Sequence, residues 1–488
     1  MRRIDTWLRS DIHISWQIGW TSAGVLCGAL LSDFVPYIHF AGLDWLAITF
    51  SLFVIAFLRR NGLAIILALV AGISLGLYVG ANAQANLASF EKLYGKNLTV
   101  EGTVSDDTTR GDSGDQRIKL HDIKLSGEPI KGMIWASSQT AVEIKRGDYV
   151  SLSGDVSPGF GTMHAALFEA TLTDIHRPVP GDVSRVARDS FADKVQQHIS
   201  QPQASLGVSF LVGQRSALPP VIQDMFRDLG LVHLVVASGF HLTIVVRFAR
   251  KLFAGQSKYA ATATSFMLIG GFLLLTGFST SMVRASLVTG LSLLAWYYGR
   301  SIHPVILLLV VAAITVLINP LYILGDMAWH LSFAAFAGVI ILAPLIHAYF
   351  WHPDKKPGFV RYLIIATTSA QITTFPIIAM AFEQYSPLAL LSNLLVLPAV
   401  PIVMMATFLV GVSSFLLPWL ATILAIPTQF GLRYITTVVE YLSTLPWAVN
   451  AVSMSGLTVM VYYAVVLLSG VYMQRITRFD IRSENPID

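Results

Sequence analysis

Gly230-Leu-Val-His-Leu-Val-Val-Ala-Ser-Gly-Phe-His-Leu242 sets two histidines, a serine and a helix-loosening glycine inside a run apolar enough and long enough to enter a bilayer. Polar side chains at membrane depth are costly unless they face a protein interior or a wet cavity, so they mark a pathway or a site. Outward from this stretch the chain keeps the same character. Of 488 residues 54% are hydrophobic and 13% charged, and the mean hydropathy is +0.63. Windows near 41–58, 62–81, 260–278, 304–318 and 455–473 carry almost no charge and approach or reach spanning length. That balance does not fit a soluble globule. The expected fold class is a polytopic α-helical membrane protein.

Charge distribution orients the spans. Arg2, Arg3 and Arg9 precede an apolar stretch from Ser15 to Leu31 that lacks a small-residue cleavage site, so it reads as a first span and not a removed signal. Arg59 and Arg60 lie between the second and third spans. The positive-inside rule puts both basic groups in the cytoplasm and leaves the polar stretch from Lys96 to Arg177 outside. Four further groups follow: Arg247, Arg250, Lys251 and Lys258; Arg300; Lys355, Lys356 and Arg361; and Arg475, Arg478 and Arg482. All are cytoplasmic with about nine further crossings, or roughly twelve in total. Leu432 to Trp447, with Arg433 and Glu440, also suits an interfacial helix. The only cysteine, Cys27, sits in the first span and reads as a packing residue.

The outside stretch alternates with period two in Leu98–Val104, Gln116–Leu120 and Asp148–Val156, the mark of strands with one buried face. Arg110-Gly-Asp-Ser-Gly-Asp115 and Pro158-Gly-Phe-Gly161 punctuate them, which predicts an inserted small all-β barrel of about five strands, most simply an OB-fold. OB-folds often hold single-stranded nucleic acid in a basic groove. Here nine Lys or Arg face twelve Asp or Glu between 96 and 177, a net of −3, which favours a structural or gating role without excluding strand contact. Val183 to Ile199 alternates charged and apolar residues at helical spacing and reads as a surface amphipathic helix or a linker helix. The expected organisation is a three-span unit over 1–95, the barrel over 96–178, interfacial helices over 179–230, a second membrane unit over 231–474 and a tail over 475–488.

Three chemistries come into question for the opening stretch, and the first fails on geometry. His233 and His241 stand eight apart, about 12 Å along a straight helix and about 80° around it, so one metal ion is not held by both. Ser238 and His241 stand three apart, the spacing of a Ser-His pair in an intramembrane serine protease, but neither a base from another helix nor oxyanion donors can be identified. Broken helices also suit a secondary transporter of a small anion, although no inverted repeat is evident. No Gly-x-x-x-x-Gly-Lys-Ser/Thr loop occurs. No cofactor is expected.

Seven ordered motifs resemble the ComEC-type competence proteins: 213–219, 233–241, Met282-Val-Arg-Ala285, Gly299-Arg300, Leu317-Ile-Asn-Pro320, Gly325-Asp-Met-Ala-Trp-His-Leu-Ser-Phe333 and Ser392-Asn-Leu-Leu-Val-Leu-Pro398. The resemblance covers most of the chain and implies an inner-membrane channel for single-stranded transforming DNA, with the barrel in the periplasm. A ~30 Å bilayer would hold on the order of five to nine phosphates of such a strand, so the path must be wet, lightly basic and weakly binding. His233, His241, Arg284 and His330 are the scattered donors, and Ser238 and Gly239 the helix break. Asp326 and Ser332 complete the candidate path, with an Arg284–Asp326 ion pair as the structural alternative. His330 stands where the family has glutamine, and Phe240 where it has leucine. Many relatives carry a C-terminal metallo-β-lactamase-like domain, but no His-x-His-x-Asp-His cluster occurs here, so a short form is expected. The implied partners are the DNA strand, a periplasmic receptor, a cytoplasmic motor or single-strand-binding proteins, a separate nuclease and the lipid bilayer.

Overall fold

The computed structural model describes residues 13–35, 42–59, 61–111, 114–125, 127–179, 182–213, 218–236, 238–253, 257–300, 302–351 and 358–479. Arg2, Arg3, Arg9, Arg60, Asp112, Ser113, the 214–217 part of the first motif, Ala237, Lys355, Lys356 and Arg482 lie outside them. Two compact units form, one of Met1–Asp182 with Val305–His330, the other of Val183–Pro304 with Leu331–Asp488. The 305–330 segment thus groups with the N-terminal part and not with the rest of the 231–474 stretch.

The first unit begins with α1 (Ile14–Leu31), α2 (Leu43–Leu58) and α3 (Gly62–Glu91). Helices α1 and α3 meet through glycines. A Cβ on Gly24 would run into the carbonyl oxygen of Leu69, one on Gly28 into that of Ile73, one on Gly72 into that of Thr21, and one on Gly76 into that of Val25. Two facing Gly-x-x-x-Gly runs let the backbones touch, which drives helix association where no water is available to expel. Polar atoms at these helices are matched. Gln17 donates to the Arg59 carbonyl (2.7 Å), Trp45 to the Ser74 carbonyl (3.0 Å), and the Thr49 and Ser74 hydroxyls bond each other. Cys27 is exposed, so it does not pack against the other helices.

At 30 residues, α3 is about 45 Å long and outruns a ~30 Å hydrocarbon layer. Its last turn carries Phe90, fully buried in the core of the β domain. Eight strands follow: β1 (Asn97–Val104), β2 (Thr109–Arg110), β3 (Gln116–Leu125), β4 (Glu128–Ile130), β5 (Ile134–Ser138), β6 (Tyr149–Pro158), β7 (Ala165–Leu167) and β8 (Thr171–His176). Five close into a barrel in the order β1-β3-β5-β7-β6 and back to β1, every contact antiparallel except β5 with β7. The alternation read from sequence is the burial pattern. In β3, Gln116, Ile118, Leu120, Ile123 and Leu125 point inward while Arg117, Lys119 and Lys124 point out. The Asp148 carboxylate, fully buried at the start of β6, accepts two bonds from Arg177 (2.9 and 2.7 Å) and the Lys145 N–H (2.8 Å). These bonds raise the Arg177 pKa. The same unit holds α11 (Pro304–Ile318, from Val305 on) and α12 (Leu321–Gly325), and Gly325 packs against the Gly161 turn of the barrel.

The second unit comprises α4 (Val183–Gln196), α5 (Gln203–Val212), α6 (Pro220–Asp228), α7 (Val232–Val235), α8 (Gly239–Phe253), α9 (Lys258–Thr276) and α10 (Thr280–Tyr297). After α13 (Met327–Ala337), whose first turn belongs to the first unit, a π turn at Gly338–Leu342 leads to α14 (Ala343–Phe350). Then come α15 (Phe359–Phe382), α16 (Ala389–Val396), α17 (Val400–Leu416), α18 (Pro418–Ser443) and α19 (Gly456–Thr477). Strand pair β9 (Gln384–Tyr385) and β10 (Asn450–Ala451) links two of the connections. The amphipathic α4 packs its Phe191 ring against Gly411 of α17, where any Cβ would collide with the ring.

Among the described residues six helical segments are long and apolar enough to cross a membrane: Ile14–Phe34, Gly62–Glu91, Lys258–Thr276, Met327–Phe350, Phe359–Phe382 and Gly456–Thr477. The bent α16–α17 pair, with a 46° break, makes up to seven. The sequence led to an expectation of roughly twelve. Much of the difference lies in α2 and α11, which at 16 and 15 residues reach only about 22–24 Å, and in two longer but more polar helices. One is α10, which carries Arg284; the other is α18, amphipathic and interrupted by Pro427. The chain is a multi-pass membrane protein with a closed β-barrel insert.

Candidate functional site

The stretch that opened the sequence reading is a helix, a break and a second helix. Gly230 leaves α6 in the left-handed region (φ +68°), where its neighbour is Ala389 of α16. The single turn of α7 ends at Val236, whose backbone is extended, and α8 starts at Gly239. Ser392 in α16 donates to the Leu229 carbonyl (3.0 Å), and Asn393 to the Ala389 carbonyl (2.7 Å). The Ser392-to-Pro398 motif therefore holds the backbone that leads into the break.

Ser238 and His241 meet at the start of the new helix. The Ser238 carbonyl accepts the Leu242 N–H (3.3 Å), while His241 Nδ1 receives the Ser238 N–H (3.2 Å) and lies 3.0 Å from the Ser238 hydroxyl. This is one half of a capping box, with histidine in the place of glutamate taking the N-cap N–H. An Nδ1 that accepts the backbone N–H leaves the proton on Nε2. His241 is completely buried, its ring stacked on Phe210 and edge-on to Phe240, and its Nε2 has no partner. Ser–His catalysis requires a third group that orients the base. No residue fills that place here, since no partner on Nε2 is present among the described residues. His233, on the α7 turn, is exposed.

Arg284 meets this helix start from α10. A Cβ on Gly239 would lie 2.8 Å from the Ala285 Cβ and 3.3 Å from Arg284 Nη2, so only glycine lets α8 begin against α10. The Arg284 Nε donates to the Ser332 hydroxyl at 2.6 Å, and the guanidinium lies over the rings of Phe336 (5.1 Å) and Phe333 (5.9 Å). Among the described residues Arg284 thus has a hydroxyl and two aromatic faces for company, and is paired with no carboxylate. Such a cation keeps its charge available to an anion, and the adjacent start of α8 offers helix-terminal N–H groups of the same sign.

Asp326 and His330 belong to the first unit and are spent locally. The Asp326 carboxylate caps α13, accepting from the Ala328 N–H (2.8 Å) and the Trp329 N–H (3.2 Å). His330 has both ring nitrogens against carbonyl oxygens, Nδ1 on Asp326 (2.8 Å) and Nε2 on Ile323 (3.0 Å). Trp329 donates to Thr315 (2.9 Å), tying α13 to α11. Ser238, Gly239, His241, Arg284 and Ser332 are brought together in one unit; Asp326 and His330 form a separate, structural cluster. Sequence reading passed over Phe210, Phe333 and Phe336 as contacts of the site. The signal for Phe333 was present, since it ends the quoted motif. The described residues contain no group of three or more His, Cys, Asp or Glu that could hold a metal.

Residues 210–476 match the family described as Competence protein. The chain is similar to a protein named competence protein ComA, of Neisseria gonorrhoeae, with 31% identity over 237 residues, 43% of this chain and 33% of that protein. It is also similar to ComE operon protein 3 of Bacillus subtilis (strain 168), with 27% identity over 205 residues, 40% of this chain and 25% of that protein. The chain thus spans a third or less of the length of these relatives. No solved structure gives a significant match.

Proposed function

The chain belongs to the competence-protein family of ComEC type, and from that membership we propose that it is an inner-membrane channel carrying single-stranded transforming DNA into the cytoplasm. The observation that carries the reading is Arg284, a cation at a helix break, held by Ser332 and two rings and paired with no carboxylate among the described residues. A single such cation attracts passing phosphates without trapping them, which suits conduction of a polyanion. Gly239 abuts it, Ser238 and His241 share the same helix start, and His233 stands on the preceding turn. Asp326 and His330 hold the first turn of α13.

On this reading residues 1–95 are a three-span unit, 96–178 an OB-fold in the periplasm, 179–230 interfacial helices, 231–474 the channel domain, and both termini are cytoplasmic. The five-strand closure with its one parallel contact, between β5 and β7, supports the OB assignment. Its acidic balance favours a structural or gating role over strand binding. A periplasmic receptor delivers DNA, a cytoplasmic motor or strand-coating proteins draw it in, and a separate nuclease removes the other strand.

The test is transformation of a deletion strain complemented with wild type or with Arg284→Ala, His241→Ala or Ser238→Ala, with membrane levels matched and labelled DNA followed by fluorescence. Wild type restores transformation, and Arg284→Ala leaves DNA outside the inner membrane. Intact transformation in the deletion strain removes the DNA reading.

A further inference from the structure

From Leu229 to Gly325 the chain carries no acidic residue and six cations: Arg247, Arg250, Lys251, Lys258, Arg284 and Arg300. Arg284 lies at the helix break. The other five collect where α8 ends, α9 begins and α10 ends. There the Arg250 guanidinium lies 4.7 Å and the Lys258 ammonium 5.1 Å from the centre of the same Trp296 ring. Arg247, Lys251, Lys258 and Arg300 are exposed, as are Tyr259 and Tyr298 beside them. Among the described residues none of the five enters an ion pair. Cation–π attraction draws two like charges to one ring. Their mutual repulsion is unrelieved by any neighbouring carboxylate, so the cluster is arranged for an anion from outside the chain.

We propose that this cluster binds the phosphate headgroup of an anionic phospholipid. One observation selects a lipid over a nucleic acid strand. Beside the cations the helix surface turns apolar and stays exposed: Phe248 is one turn from Lys251 on α8, and Leu294 one turn from Tyr298 at the end of α10. A phosphate on Arg250 and Lys258 would leave its acyl chains against Phe248 and Leu294. Basic groups with tryptophan and tyrosine at the ends of membrane helices are what anionic headgroups seek. The site stands apart from Arg284 and holds whether or not the chain conducts DNA.

The full chain, purified in detergent, is mixed with phosphatidylglycerol or with phosphatidylcholine of the same acyl chains, and retained lipid is read by native mass spectrometry. Wild type retains phosphatidylglycerol preferentially and loses it as salt is raised. Arg250→Gln with Lys258→Gln weakens retention roughly 30-fold, whereas Arg250→Lys with Lys258→Arg preserves it. Arg247→Gln with Lys251→Gln, at exposed positions that no packing depends on, lowers it as well and covers the case in which the first pair fails to fold. Equal retention of the two lipids, or retention indifferent to both glutamine pairs, overturns the proposal. So does an oligothymidylate that binds the cluster and is not displaced by phosphatidylglycerol, which would make the partner a nucleic acid.

Discussion

At the scale of the residue, the polar groups of this membrane protein are ordered by what answers them. His330 presents both ring nitrogens to carbonyl oxygens 2.8 and 3.0 Å away. His330→Phe removes the ring donor, while the Asp326 carbonyl keeps the backbone N–H of residue 330 (3.1 Å); the change is expected to cost about 1–3 kcal/mol, read as a lower midpoint in a thermal melt of the detergent-solubilised chain. His330→Gln, whose amide carries two donors, recovers part of that loss. In the barrel, burial holds the His164 imidazole below its ordinary value of 6.5, and Nδ1 accepts the Met133 N–H at 3.1 Å. A histidine depressed in the folded state contributes fully above the unfolded value and loses that contribution as the pH falls through about 6.5. Exchange protection of the Met133 amide should therefore drop between about pH 7.5 and about pH 5.5, and His164→Asn should flatten the change. Ser238, Gly239, His241 and Arg284 were legible in the sequence as polar or helix-breaking residues within apolar runs. The Arg284–Ser332 bond was not, because 48 positions of sequence separate the pair and nothing local links them.

At the scale of the element, glycine decides which helices touch. Gly24-x-x-x-Gly28 in α1 and Gly72-x-x-x-Gly76 in α3 were in plain view, and their spacing is the one that puts small residues on a single helix face. Reading hydropathy alone passed over them, since an apolar window scores glycine and leucine by cost of transfer and not by closeness of approach. Gly28→Leu should push α1 off α3, because its side chain lands on the Ile73 carbonyl. Little folded protein should then survive solubilisation, while Cys27→Leu, on an exposed position of the same helix, should be tolerated. Strands were more legible than spans. Alternation marked β1 and β6 closely and the first half of β3, but the pairing of β1 with β6 joins residues about fifty apart and leaves no periodic imprint.

At the scale of the whole molecule, the orientation argued from basic residues makes a prediction that needs no knowledge of the site. In a Cys27→Ser background, Lys131→Cys on the barrel should react with a membrane-impermeant thiol reagent added to cells whose outer membrane is permeabilised. Lys251→Cys should react only after the inner membrane is opened. Reversed labelling would invert the topology. By itself the sequence determined that this chain lives in a membrane, that a β domain interrupts it after the third apolar helix, and that polar residues cluster at 230–242. Transfer cost and two-residue alternation are local properties, and each window of sequence carries them. Only the tertiary structure decided that 305–330 folds with the N-terminal unit, that five strands close on themselves and that Arg284 is answered by a serine and two rings. It also decided that glycines mate α1 to α3. Those outcomes rest on contacts between distant segments, where shape and hydrogen-bond satisfaction choose the partner and hydropathy is indifferent to the choice.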